Sequence, residues 1–397
     1  MSTKETHDLT IFATQSDRRA DGGESSISEI VTNLKSTSTL VLTNKETSTS
    51  RLWREKGITV ITHPFQKYLK VDGLRRAREL VRSNYYAFKL IRRVSPKVVH
   101  TNDRAAFRGC GIGARFAGVP VVNNVRDTHP KMRGRRRAKT LLEFALSEVV
   151  LTLSQEMCEC WAETLRYDAF PLSLRRFFLE KMTYIYSIVD PDRFHPPDGG
   201  QKEVRRDLEV GGAPLLVYVA SFHPKKRQLA FIQNALPDLV DQHPETIVAF
   251  VGDFVPSQND QAHACQRAVE ALGLNKNVRF TGYRDDVERW YQAADLTVLA
   301  SENEGLARSM IESLACGTPV VSFDVASASE ILEGHNCGLV VPQGNYRELR
   351  TGIIELWEDD SLRTTMGRQG TTTARTLFSP GTVARQYQTL YQRIATR

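Results

Sequence analysis

A chain of 397 residues is longer than one hydrophobic core usually organises, so two domains of roughly 150 to 200 residues are expected. With 41% hydrophobic and 25% charged residues, the composition excludes a disordered, fibrous or disulfide-scaffold protein. A net charge of +7 favours an anionic partner without naming it.

The N-terminal MSTKETHDLT is polar and lacks the apolar core of a secretory signal, and no run approaches the roughly 20 apolar residues of a membrane span. A cytosolic protein is the expectation. The six cysteines include no CxxC arrangement and read as reduced thiols. Cys158 and Cys160 lie two apart on a predicted helix and so point in divergent directions; a metal or redox pair is the alternative reading.

Taken in chain order, short apolar runs alternate with amphipathic stretches: Leu9 to Ala13, Thr39 to Thr43, Val98 to His100, Val119 to Val125 and Val149 to Leu153. Such alternation implies βαβ units around a parallel sheet. After the first run comes Ala20-Asp-Gly-Gly-Glu-Ser-Ser-Ile-Ser28, where Gly22 and Gly23 would let the backbone approach a ligand closely; a plain flexible turn explains them as well. Cations then crowd one segment: Lys67, Lys70, Arg75, Arg76, Arg78, Arg82, Lys89, Arg92, Arg93 and Lys97, opposed by Asp72 and Glu79 alone, with a second cluster from Lys131 to Lys139. This segment could meet an anionic membrane surface, meet a polyanionic acceptor, or be a solvated helix face. Nucleic-acid binding is disfavoured, because no zinc-finger or RNA-recognition signature accompanies the charge.

The stretch Asp190 to Gly200 is rich in turn formers and is the linker candidate. Beyond it the alternation restarts with Leu215 to Ala220, Ile247 to Val251, Val278 to Thr281, Leu296 to Ala300, Val320 to Phe323 and Gly338 to Val341, and a helix is predicted from about Ser379 to Ile394. Two doubly wound domains follow. Ligands of such sheets sit outside the carboxyl ends of the strands, so chemistry should fall just after each run. After the first of these runs, the loop Ser221 to Arg227 offers Lys225, Lys226 and Arg227 to a phosphate.

The densest stretch is Ala300-Ser-Glu-Asn-Glu-Gly-Leu-Ala-Arg-Ser-Met-Ile-Glu-Ser-Leu-Ala-Cys-Gly-Thr-Pro-Val-Val-Ser322. Gly305, Leu306 and Ala307 are expected to open a helix, presenting backbone N–H groups and a dipole that attract phosphate. Eight residues along an ideal helix, Glu304 and Glu312 would share one broad face. Glu312 suits bidentate bonding to two ribose hydroxyls, and Glu304 a sugar. Incidental glutamates on a solvated helix are the alternative.

This stretch, with Phe280-Thr-Gly-Tyr-Arg-Asp-Asp-Val287, Tyr291-Gln-Ala-Ala-Asp295, Ser329-Glu-Ile-Leu332 and Ile188-Val-Asp-Pro-Asp-Arg-Phe194, resembles glycosyltransferase family 4, the glycosyl transferases group 1. The resemblance is densest from Val278 to Pro342 and extends more weakly over almost the full chain. It implies the GT-B fold: two Rossmann-like doubly wound domains facing a cleft, an acceptor-binding domain over 1–195, a donor-binding domain over 196–378, and a C-terminal helix, 379–397, returning to the first. It also implies a hexosyltransferase that retains anomeric configuration and takes a UDP- or GDP-sugar as co-substrate, without cofactor or metal. Its acceptor would be lipid-linked or a polysaccharide, in cell-surface polysaccharide, lipopolysaccharide or glycolipid synthesis. The enzyme would be cytoplasmic, peripheral on the inner face of the membrane.

Carried over residue by residue, Glu312 would hold the ribose, Leu306 and Ala307 the diphosphate, Glu304 the transferred sugar and Lys226 the phosphate. Gly282, Tyr283 and Arg284 would border the base, while Gly22 and Gly23 would face the donor phosphates. The chain departs from the family at Ser221, often arginine; at Ala307, often glycine; at Ala326-Ser327, often Gly-Gly; and at Arg126, where many relatives place a histidine near the sugar. Arg126 and Asp127 are carried as catalytic candidates, and Asn102, Asp103 and His129 as acceptor-side candidates; a carboxylate there could take a proton from a hydroxyl. Asp285-Asp286, the nearest pair to a metal-binding acidic motif, is expected to cap the helix containing Trp290. The competing functions are a sugar-nucleotide epimerase of the same fold and a non-catalytic sugar-nucleotide binding protein.

Overall fold

The structure, a computed structural model, describes residues 10–14, 22–34, 38–63, 72–128 and 132–396. The chain divides into two compact units, Met1–Ile188 with Pro380–Arg397, and Val189–Ser379. It therefore crosses between units just before the turn-rich Asp190 to Gly200 stretch, and crosses back where Pro380 starts the last helix. Proline suits that first helical position, where a missing N–H costs nothing.

Among its described residues the first unit holds seven parallel strands: β1 (Thr10–Thr14), β2 (Thr39–Thr43), β3 (Thr59–Thr62), β4 (Val98–Thr101), β5 (Val121–Asn124), β6 (Val149–Thr152) and β7 (Met182–Tyr184), in the order β3-β2-β1-β4-β5-β6-β7. Central segments such as TIFAT and VVLT are buried at every position, because helices cover both faces and leave no polar side. β3 and β7 lie at the edges, are partly exposed and lack a continuous apolar run, so periodicity alone did not reveal them.

One face of this sheet packs against Ile27, Ile30 and Val31 of the helix Gly22–Asn33 and against Val383, Tyr387, Leu390, Tyr391 and Ile394 of the helix Pro380–Ala395. The other face is covered by Ala87 and Ile91 of the helix Gly73–Val94 together with Phe107. The last helix is also tied to β4: the Tyr391 hydroxyl lies 2.9 Å from His100 Nδ1, and the His100 ring stacks on Phe12. His100 is fully buried, and that burial, helped by the charge of Arg126, pushes its imidazole down to about 3.

The second unit holds β8 (Leu215–Val219), β9 (Ile247–Val251), β10 (Val278–Gly282), β11 (Leu296–Leu299), β12 (Val320–Phe323) and β13 (Gly338–Val341), all parallel, in the order β10-β9-β8-β11-β12-β13. Successive connections turn outward from β8 on one side and from β11 on the other, so the order reverses between them. Gly252, just after β9, admits a close backbone approach: a Cβ there would meet the Ala220 carbonyl oxygen at 2.0 Å. Among the described residues no helix is long and apolar enough to cross a membrane, and the six cysteines form no disulfide, Cys158 contacting the Thr152 hydroxyl at 2.9 Å.

Two measurements follow. Gly252→Ala should displace the loop after β8 and destabilise the second unit by about 1–3 kcal/mol in denaturant titrations. For His100, the unfolded ring binds its proton near 6.5, so the depressed native value makes the first unit lose stability as pH falls below about 6.5, at about 1.4 kcal/mol per pH unit, with no contribution above it. His100→Gln should reduce the stability lost between pH 7 and pH 5 by about 2 kcal/mol; an identical loss in both proteins contradicts the assignment.

Candidate functional site

The winding reverses between β8 and β11, and the carboxyl ends of the strands at such a reversal are where open α/β sheets hold ligands. The loop after β8 makes one 3₁₀ turn, Pro224–Lys226, and Arg227 takes a left-handed conformation (φ 59°) before the next helix. The turn directs Lys226 toward β11, where its Nζ pairs with Glu304 Oε1. Both side chains are largely buried, at 18% and 9% exposure, so the pair is screened far less than one in open solvent.

Five further hydrogen bonds fix these loops. The buried Tyr218 hydroxyl donates to the Lys226 carbonyl and accepts the Ala300 N–H at 3.2 Å. Glu302 N–H donates to the Lys225 carbonyl at 2.8 Å, and Gln343 Nε2 donates to the Ser301 and Glu302 carbonyls at 3.1 and 3.0 Å. Ser221 is exposed, and its carbonyl accepts from Gln228 Nε2. Tyr218 escaped the sequence reading because it looks like one more core residue of LLVYV; a hydroxyl in an otherwise apolar buried strand was the available signal.

After β11 the expected geometry is corrected. The helix begins at Arg308, and Glu304 to Ala307 form a non-helical turn ending in extended backbone at Ala307 (φ −68°, ψ 112°). The shared-face argument for Glu304 and Glu312 therefore does not apply, because no continuous helix joins them. The turn nevertheless presents donors. Leu306 and Ala307 are 7% and 3% exposed, yet among the described contacts their N–H groups reach no protein acceptor, and the helix start has no side-chain cap. Buried backbone donors are normally satisfied, so such a turn suits an anion.

Glu312 faces a different set of partners. Its Oε1 accepts from Arg308 Nε at 3.1 Å and its Oε2 from the Tyr291 hydroxyl at 3.3 Å. Burial, reinforced by the Glu312 charge, holds the Tyr291 phenol well above its ordinary pKa, so it stays a donor. At the end of β10, Gly282 takes φ 73° and Tyr283 is 61% exposed. Arg284 makes a two-point pair with Asp286, Nε and Nη2 each at 2.8 Å. Arg284 thereby holds the Asp286 carboxyl below its usual range, and Asp286 makes no capping bond to the helix Val287–Ala293, contrary to expectation. β10 lies three strand spacings from β11, about 14 Å, so a ligand touching both ends must be extended. No group of three or more His, Cys, Asp or Glu among the described residues is placed to hold a metal ion.

In the first unit, Gly22 and Gly23 start the helix Gly22–Asn33. Asp103 Oδ1 accepts the Ala106 N–H at 2.6 Å and so caps a helical turn, which competes with a proton-accepting role. Asn102 is buried; its Oδ1 accepts from Arg126 at 3.4 Å, and its Nδ2 lies 3.4 Å from the Thr14 hydroxyl. Asp127 is exposed, and its carbonyl accepts from Trp161 Nε1. Thus Arg126 and Asn102 meet, while His129 lies outside the described residues.

Residues 200–373 match the family model described as glycosyl transferases group 1. The chain is 30% identical over 186 residues to D-inositol 3-phosphate glycosyltransferase of Corynebacterium jeikeium (strain K411), covering 45% of this chain and 44% of that protein. It is 24% identical over 208 residues to N-acetyl-alpha-D-glucosaminyl L-malate synthase of Bacillus anthracis, covering 52% of each. Matches of this kind span about half the length of the relatives. Among solved structures, Anabaena Alr3699/HepE in complex with UDP and glucose superposes with a TM-score of 0.77 at 20% identity, over 98% of this chain and 100% of that one. A glycosyltransferase from Rickettsia africae ESF-5 superposes with a TM-score of 0.79 at 15% identity, over 98% and 99%. The fold is GT-B, and the resemblance to glycosyl transferases group 1 is matched over residues 200–373.

Tyr218→Phe removes the hydroxyl that ties the Lys226 loop to Ala300. It should lower the stability of the second unit by about 1 kcal/mol in urea titrations, and unchanged stability would show that the tether carries no energy.

Proposed function

We propose that this protein is a glycosyltransferase that moves a hexosyl unit from a UDP- or GDP-sugar to an acceptor hydroxyl, with its donor site at the carboxyl ends of β8 and β11. One observation carries the reading: the Lys226–Glu304 pair stands beside a turn whose Leu306 and Ala307 N–H groups reach no protein acceptor among the described contacts. The relatives named as glycosyltransferases, and the HepE complex with UDP and glucose, support an activated sugar as the ligand.

The chemistry follows from charge. As the glycosidic bond breaks, negative charge grows on the departing diphosphate, and fixed donors with a nearby ammonium stabilise it most when water is scarce. Lys226 supplies the ammonium; Leu306 and Ala307 supply N–H groups that need no reorganisation. Glu304 holds Lys226 in place and lies beside the sugar. Glu312, oriented by Arg308 and Tyr291, accepts the ribose hydroxyls, and Gly282, Tyr283 and Arg284 border the base. The acceptor hydroxyl attacks from the face the diphosphate leaves, giving retention. In the first unit, Asn102, Asp103 and His129 are the acceptor-side candidates, Arg126 and Asp127 the catalytic candidates, and Gly22 and Gly23 the candidates for the donor phosphates.

The acceptor is lipid-linked or a polysaccharide, and the enzyme works at the inner face of the membrane. The helix Gly73–Val94 supports this: exposed Leu74 (91%), Val81 (69%) and Tyr85 (57%) are interspersed with exposed Arg75, Arg78, Arg82 and Lys89. Apolar side chains among cations suit an anionic headgroup layer. Lys67 and Lys70 lie outside the described residues.

Two assays test the reading. UDP or GDP should raise the thermal midpoint of the wild type in a concentration-dependent way, and Glu312→Ala should weaken that shift. With sugar donors and membrane lipid extracts as acceptors, Lys226→Ala should lower turnover by about 10²–10³-fold. A midpoint that ignores both nucleotides, or variants that bind and turn over like wild type, would remove the site; transfer to water alone or epimerised donor would replace the reaction class.

A further inference from the structure

Six non-glycine residues among those described have positive φ: Ser95, Arg166, Glu209, Arg227, Ser327 and Asn336. Five are exposed, where a loop can take up the strain; Ser327 alone is buried, with no exposed surface. It sits at φ 74° in a turn closed by Ala328 N–H to the Val325 carbonyl at 2.9 Å. Positive φ at the third residue alone is the type II pattern, a place where glycine is free and a Cβ costs energy.

What the side chain does there offsets that cost. Ser327 Oγ lies 3.2 Å from the Gly305 carbonyl and also contacts the Ala326 carbonyl, so its single proton is shared between the two. The Gly305 carbonyl and the Leu306 N–H belong to one planar trans peptide, in which they point in opposite directions. A hydroxyl that holds the carbonyl on one side therefore aims the Leu306 N–H to the other. Glycine at position 327 would relieve the backbone and leave this peptide free to rotate.

We propose that Ser327 is a positioning residue for the donor: by holding the Gly305 carbonyl it fixes the Leu306 N–H toward the diphosphate. This rests on the donor-site reading above. The serine exchanges backbone ease for a preorganised N–H, and that makes a testable signature, because stability and ligand affinity respond in opposite senses when glycine replaces it.

The experiment compares wild type, Ser327→Gly and Ser327→Ala by thermal denaturation and by calorimetric titration with UDP and with GDP, followed by steady-state kinetics with the preferred sugar donor. Ser327→Gly should be as stable as wild type or more so, since glycine accepts this φ, yet should bind the nucleotide about 3- to 10-fold more weakly, the worth of one neutral hydrogen bond. Its kcat/KM should fall by at least as much. Ser327→Ala, still strained and without the hydroxyl, should lose both stability and affinity. If Ser327→Gly folds and binds nucleotide like wild type, the serine is structural and the proposal is overturned. If wild type binds neither nucleotide, the donor-site reading falls and the role of Ser327 falls with it, so the two failures are distinct.

Discussion

Everything proposed for this molecule depends on two loops being held in contact where the second sheet reverses its winding. The chain leaves β8 toward one side and β11 toward the other, and nothing in the strands themselves makes the two loops converge. Convergence comes from the Lys226–Glu304 pair, with Tyr218 and the Glu302–Lys225 backbone bond beneath it. A buried ion pair is weak evidence of stability, since desolvation offsets much of its attraction. Its value here is positional: it keeps an ammonium in a water-poor place without collapsing onto the backbone donors beside it.

The same division of labour recurs among the loops at these strand ends. Glu312 is oriented by Arg308 and Tyr291, and the Gly305 peptide by Ser327. Glu312 is backed by a hydroxyl from a neighbouring helix and a guanidinium of its own helix, the Gly305 peptide by a buried hydroxyl, and the Lys226 ammonium by a carboxylate. Side chains fixed in this way need little reordering when a ligand arrives, which is how preorganisation contributes to affinity and rate.

The positive charge of the chain is likewise not one property. Part of it is structural: Arg104 and Arg108 converge on the buried Glu143, and Arg205 joins Asp295 to the Ala213 and Ala293 carbonyls. Another part is displayed on the helix Gly73–Val94 beside exposed Leu74 and Val81. Net charge reports the sum, and only burial separates the two parts.

By itself, the sequence determined the two doubly wound units, the six strands of the second sheet, the return of the last helix, and the loops on which Lys226, Glu304, Leu306, Ala307 and Glu312 lie. These follow from local signals, apolar runs of strand length followed by glycine and charge, together with one dense family resemblance. Edge strands β3 and β7 were not legible, because short, half-exposed segments carry no continuous apolar run. Tertiary structure alone decided that Lys226 meets Glu304, that the helix begins at Arg308 rather than Gly305, that Asp286 serves Arg284 instead of a helix end, and that Tyr218 and Ser327 are more than core and turn. The physical reason is that most of these depend on contacts between segments distant in the chain or on a single backbone dihedral, and the Arg284–Asp286 pair on the rotamers of two neighbouring side chains. Spacing encodes which face a residue occupies, but not which partner waits there.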